Sequence, residues 1–191
     1  MNSTFSEFAN YDRLAQALSN MSDFPQKSAL DGLANELVGA IKRGNKLIVF
    51  GNGGSAAEAS HFAAELVSKC SKDHSPWPAI CLSDSSPVLT AIGNDYGFNK
   101  VFLRQVEGHL APGDIVIGFS TSGKSENVLS ALEFSAEKNN PTFLFTGYNT
   151  ELSIPSRIVT IHAQLTETPR IQEMHLVWIH LLSEFCELNL S

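Results

Sequence analysis

From Gly44 onward the chain alternates two kinds of segment, and this alternation limits the possible folds more than any other feature. Five short, apolar, β-branched runs lie at 46–50, 79–82, 114–119, 142–146 and 157–162. Helical patterns fill 55–69, roughly 98–109, 124–139 and 168–188. Runs that are apolar on both faces belong in a parallel sheet covered by helices on each side. The alternation therefore predicts an α/β fold, a doubly wound five-stranded parallel sheet of flavodoxin-like type. Residues 1–43 read as helical instead. Phe5, Phe8, Leu14 and Leu18 mark one apolar face, and Leu30, Leu33, Leu37 and Ile41 mark a second after a break near Asp23-Phe24-Pro25. With no linker or repeat in view, 1–191 reads as a single domain, with 1–43 a helical N-terminal extension and 44–191 the α/β core.

Composition excludes several classes. The net charge of −7 disfavours a nucleic-acid partner. No apolar run is long enough to cross a bilayer, and no basic-then-apolar leader opens the chain. The three cysteines, Cys70, Cys81 and Cys186, lack metal-type spacing and read as reduced, buried filler of a cytosolic protein.

Two loops stand out. Leu47-Ile48-Val49-Phe50 runs into Gly51-Asn52-Gly53-Gly54-Ser55-Ala56-Ala57, a glycine-rich turn between a strand and a helix. Such a turn lets backbone N–H groups approach an anion at the helix N-terminus. Ser120-Thr121-Ser122-Gly123-Lys124-Ser125 follows the strand Ile115-Val116-Ile117-Gly118-Phe119 and offers four hydroxyls at a second helix start. One hydroxyl suffices for a cap, so four point to a phosphate site. The first loop also fits Gly-x-Gly-x-x-Ala, with Asp84 as ribose acid, but Asp84 lies over thirty residues beyond Gly51 instead of the usual roughly twenty, which leaves a dinucleotide site as the minor alternative.

His61 and Glu65 share one face of the helix after the first loop. A later helix, opened by Thr168-Pro169, carries Gln172, His175 and His180. His61, Glu65, Gln172 and His180 together make a mixed N/O donor set suited to zinc. Gln172 and His180 are separated by about 80° around the helix and about 12 Å along it. They reach one ion only by bending together; otherwise they serve separate roles or separate subunits. His74, His109 and His162 read as surface or structural, His175 as supporting the site or lying at an interface at most, and Trp77 and Trp178 as core or interface.

These residues resemble the sugar isomerase (SIS) domain family, and within it the branch that isomerises sedoheptulose 7-phosphate. The likeness rests on the Gly51–Ala57 loop, His61-Phe62-Ala63-Ala64-Glu65-Leu66, Leu89-Thr90-Ala91-Ile92-Gly93-Asn94-Asp95, Ser120-Thr121-Ser122-Gly123 with Ser125, and Arg170-Ile171-Gln172-Glu173-Met174-His175. It implies a cytoplasmic homotetramer with sites at subunit interfaces. The implied reaction yields D-glycero-D-manno-heptose 7-phosphate for lipopolysaccharide or capsule. By the same resemblance Asn52, Gly53, Gly54, Asn94, Asp95 and Gln172 contact substrate, and Ser55, Ser120, Thr121, Ser122 and Ser125 hold its phosphate. Glu65 is the implied base and His180 the acid, and one zinc per subunit is bound by His61, Glu65, Gln172 and His180. A non-catalytic DnaA-associating member of the family lacks the counterparts of Glu65 and His180.

Overall fold

The computed structural model describes Ala15, Ser19, residues 27–149 and residues 153–190. The predicted apolar face of Phe5, Phe8, Leu14 and Leu18 lies outside these residues. In chain order the elements are α1 (Lys27–Lys42), β1 (Leu47–Gly51), α2 (Gly54–Val67), β2 (Ala79–Cys81) and α3 (Ser86–Tyr96). A 3₁₀ turn (Phe98–Lys100) leads to α4 (Leu103–His109), β3 (Ile115–Phe119), α5 (Glu126–Glu137), β4 (Thr142–Thr146), β5 (Val159–His162) and α6 (Thr168–Leu190).

The five strands form one sheet in the order β2-β1-β3-β4-β5, and every pairing is parallel. The three central strands are buried along their whole length. Alternate residues feed two cores, as strand periodicity requires. Leu47, Val49, Ile115, Ile117, Phe143 and Phe145 pack under α1, α2 and α6, whereas Ile48, Phe50, Val116 and Leu144 pack under α4 and α5. The predicted stripe on α1 is confirmed: Leu33 and Leu37 are fully buried, with Leu30 and Ile41 packed beside them.

Two corrections concern one stretch. The predicted helix at about 98–109 is a 3₁₀ turn followed by the shorter α4, because Gly97 (φ 90) and the turn break the path. A helix that the apolar pattern did not reveal, α3, spans Ser86–Tyr96. Its local signal was the Ser85 N-cap position followed by a proline in the first turn. None of its residues is fully buried, although Leu89 and Ile92 pack against the core.

Candidate active site

In the order 2-1-3-4-5 the strand direction of winding reverses between β1 and β3, and ligands bind at the carboxyl ends of the strands flanking that point. Both loops singled out above lie there: Asn52–Gly53 after β1 and Ser120–Ser125 after β3, on strands paired Gly51 to Phe119. Gly53 (φ 57) and Gly123 (φ 67) take positive-φ conformations that let the chain turn from each strand toward the following helix. Asn52 and Asn127 exchange two amide hydrogen bonds of 2.9 Å, tying the first loop to the start of α5. The Ser120 and Ser125 hydroxyls bond each other at 2.9 Å, and Ser122 Oγ accepts from the Lys124 N–H at 3.2 Å. Ser125 is also the residue immediately before α5, in the extended N-cap position.

From the first loop α2 runs beside α6 in the same direction, and the two helices meet in successive rungs. Gln172 packs so closely on Gly54 that a Cβ there would lie 2.3 Å from the Gln172 Nε2. Next come Glu58 and His175, with Oε1 and Nδ1 3.6 Å apart. Below them His61 Nε2 meets His180 Nε2 at 2.9 Å, across 119 positions of sequence. Glu65 Oε1 lies 3.4 Å from the same His61 nitrogen. Donor atoms of His61, Glu65 and His180 all fall within 4.8 Å of one another, and all three side chains are half-buried. Past the end of α2, Glu187 accepts N–H bonds from Cys70 (2.8 Å), Ser71 and Lys72 (each 3.0 Å).

This cluster fits a metal. Two imidazoles and a carboxylate are ordinary zinc donors, and neighbouring donors on a tetrahedral zinc sit about 3.3 Å apart. The separations of 2.9 and 3.4 Å therefore need only small side-chain rotations to surround one ion. Without an ion, one imidazole must donate to the other. Gln172 is in a different place: it lies against the first loop, two rungs away from His180. Within one protomer Gln172 and His180 thus lie at separate places along the α2–α6 seam.

The remaining candidates separate. Asn94 donates to Asp95 at 2.7 Å on exposed α3. Asp95 lines a cavity of about 330 Å³ with Tyr96, Arg104 and His109, and among the described residues no hydrogen bond links either residue to one of the two loops. His74 stacks on Trp77 with ring centroids 3.6 Å apart, and Trp178 is buried, as structural roles require. Cys81 and Cys186 are buried, and burial pushes both thiols up to about 12. Cys70 departs from the expectation of a buried thiol. It is half-buried, and burial together with the adjacent Glu65 carboxylate pushes its thiol up to about 12. No local pattern announces that contact, because Cys70 follows the end of its helix.

Fold and site together define an α/β protein that handles a small phosphorylated molecule. Comparison with known proteins agrees. The SIS domain matches residues 10–147. The chain is 44% identical over 162 residues to a phosphoheptose isomerase of Citrifermentans bemidjiense, covering 85% of this chain and 84% of that one. It is 46% identical over 155 residues to a phosphoheptose isomerase of Aquifex aeolicus, covering 81% of each. The phosphoheptose isomerase structure from Neisseria gonorrhoeae superposes with a TM-score of 0.87 at 30% identity, over 97% of this chain and 100% of the other. The chain belongs to the SIS-domain family and, within it, to the phosphoheptose isomerases.

Proposed function

We propose that this isomerase interconverts sedoheptulose 7-phosphate and D-glycero-D-manno-heptose 7-phosphate, supplying heptose for bacterial lipopolysaccharide or capsule. One observation carries the reading: a carboxylate, Glu65, and an imidazole, His180, from distant parts of the chain share one half-buried pocket with His61. Aldose–ketose isomerisation moves a proton between C1 and C2 through an enediol and needs no redox cofactor. Glu65 takes the proton from one carbon and returns it to the other. His180 moves the proton on the neighbouring oxygens. Positioned acid–base groups of this kind contribute about 10²–10⁴-fold each. Ser55, Ser120, Thr121, Ser122 and Ser125, with the N–H groups of the two helix starts, hold the phosphate. Asn52, Gly53, Gly54, Asn94 and Asp95 contact the sugar. His61, Glu65 and His180 would hold zinc, which would order the site and supply Lewis-acid chemistry, and Glu65 and His180 would leave the ion to move protons when substrate binds.

The arrangement supports a site divided between protomers. Glu65 lies roughly 16 Å along α2 from Gly54. A seven-carbon chain ending in phosphate spans only about 10 Å when extended, judged from ordinary single-bond lengths. The phosphate loops and Gln172 of one protomer therefore work with the His61–Glu65–His180 cluster of another, and Gln172 joins the metal set across that boundary. The exposure of α3 supports the homotetramer further. Val88, Tyr96 and Phe98 are 38%, 54% and 64% exposed on and beside it, more apolar surface than a monomer needs to show. Among the described residues no helix is long and apolar enough to cross a membrane. A sugar phosphate is a cytoplasmic metabolite, and the cytoplasm is the proposed location.

The test is direct. Purified protein is incubated with sedoheptulose 7-phosphate, with and without chelator, and aldose formation is followed by NMR. Product in the untreated sample is expected. No product under either condition would replace this reading with that of a non-catalytic binding protein.

A further inference from the structure

Between the Gln172 rung and the His61–His180 rung, the α2–α6 seam contains a pair that the reaction does not use. His175 is completely buried and Glu58 is 7% exposed. His175 Nε2 lies 3.3 Å from the Thr146 carbonyl oxygen, so that nitrogen carries a hydrogen and donates it. A neutral ring then has a bare Nδ1, and this atom lies 3.6 Å from Glu58 Oε1. Neither Nδ1 nor either Glu58 oxygen has a hydrogen-bond partner among the described residues. The rings of Phe119, Phe145 and Trp178 surround the imidazole at 5.6 to 5.7 Å. Two lone pairs facing each other away from water repel, and a buried carboxylate without a partner is costly. One proton between them removes both penalties and makes a charge-assisted bond. The present gap exceeds ordinary hydrogen-bond range by only about 0.4 Å.

Thr146 carries the contact onward. Its hydroxyl reaches the Thr121 carbonyl at 3.4 Å, and the Gly147 N–H donates to the same oxygen at 3.0 Å. Thr121 belongs to the hydroxyl-rich loop. A continuous polar path thus runs from Glu58 on α2, through His175 on α6 and Thr146 at the end of β4, into the second phosphate loop. We propose that Glu58 and His175 share a single proton and act as positioning residues that hold this loop in register with α2. The pair touches no substrate. It sets the distance between the two anion-binding turns, and its loop-holding part rests on reading the second loop as a phosphate site.

The experiment compares Glu58→Gln and Glu58→Leu in the full chain. Glutamine keeps the shape and offers an amide donor to Nδ1. Leucine fills the space but leaves Nδ1 bare. Histidine-selective ¹⁵N NMR of the unaltered protein should show a slowly exchanging proton on a buried Nδ1; that proton signal should vanish in both variants, leaving a bare Nδ1 nitrogen that is hydrogen-bonded to the amide in Glu58→Gln and unpartnered in Glu58→Leu. Glu58→Leu should weaken binding of inorganic phosphate and raise KM about tenfold, with a smaller change in kcat, as expected of a displaced binding loop. Glu58→Gln should restore both to within about twofold of the unaltered protein. If Glu58→Leu does not fold, His175→Met carries the same phosphate measurement. An imidazole spectrum indifferent to Glu58→Leu would overturn the proposal. So would unchanged phosphate affinity and KM in a folded variant, or a glutamine variant as impaired as the leucine one. Failure of the unaltered protein to turn over sedoheptulose 7-phosphate would instead strike the proposed function, leaving the NMR result to decide the proton sharing.

Discussion

A site divided between protomers can be tested by mixing two inactive variants. Glu65→Gln removes the proposed base but keeps the side-chain shape, and the group is 16% exposed, so the fold tolerates it. Losing a general base lowers kcat by about 10²–10⁴-fold, or about 3–5 kcal/mol of barrier. Ser125→Asp disables the other half. Asp is as good an N-cap as Ser, so α5 still starts at Glu126. Its carboxylate now occupies the anion position, and a like charge about 4 Å away costs about 1–4 kcal/mol between the water and near-surface limits. Each variant alone is inactive at low substrate concentration. When the two are unfolded together in equal amounts and refolded, random pairing gives sites with both halves intact in about one quarter of cases, if each site draws on two copies of a symmetric oligomer. Recovery of roughly a quarter of normal turnover, measured by NMR of aldose formation, is the expected result. Activity staying at the level of the separate variants after verified mixing would show that one chain supplies the whole site, and the distance argument along α2 would fail.

Other consequences follow from particular contacts. Burial pushes the Glu187 carboxyl up, but the backbone N–H groups of Lys72, Cys70 and Ser71 and the charge of His74 outweigh it and hold the group below its ordinary value. Its stabilisation is therefore present above pH 4.5 and lost as pH falls through the lower folded value. Glu187→Gln should cost about 2 kcal/mol in urea unfolding at pH 7 and much less at pH 3; an equal loss at both would exclude the charge. Chelation should abolish turnover and zinc should restore it, while His61→Ala should weaken zinc binding by more than about 100-fold in a fluorescent competition assay.

The sheet was legible because its central strands are buried on both faces, a condition that leaves continuous apolar runs such as Leu47–Phe50 and Ile115–Phe119. Both loops were legible because unusual backbone geometry and clustered hydroxyls need particular residue types. The α3 helix was not, since its core-facing Leu89 and Ile92 are only partly buried and Gly93-Asn94 weaken its helical signal. The His61–His180 contact was only half legible. His61 and Glu65 share a face by local spacing, but the partner 119 positions away is brought in by the parallel run of α2 and α6. Glu58 gave no signal at all, because an acidic residue on a helix normally faces water and only tertiary packing buries this one.

The close approach of Gly54 and Gln172 allows stability and activity to be separated. A Cβ at Gly54 would lie 2.3 Å from Gln172 Nε2 and 2.9 Å from its Cδ, so the side chain must move. Those atoms are the flexible end of glutamine, and Gly54 is the first residue of α2 without a left-handed φ. Alanine therefore suits the backbone better than glycine, by roughly 0.5–1 kcal/mol. Gly54→Ala should hold or raise the thermal midpoint while lowering kcat, because it displaces Gln172 from the loop rather than disturbing the core. Adding Gln172→Ala to Gly54→Ala should cost little more, since both changes remove the same side chain from the same place and their effects are not additive. The cycle needs only thermal denaturation and the isomerase assay on the two single variants and the double. Full activity in Gly54→Ala, or losses that multiply in the double variant, would show that Gln172 does its work elsewhere than against the first loop.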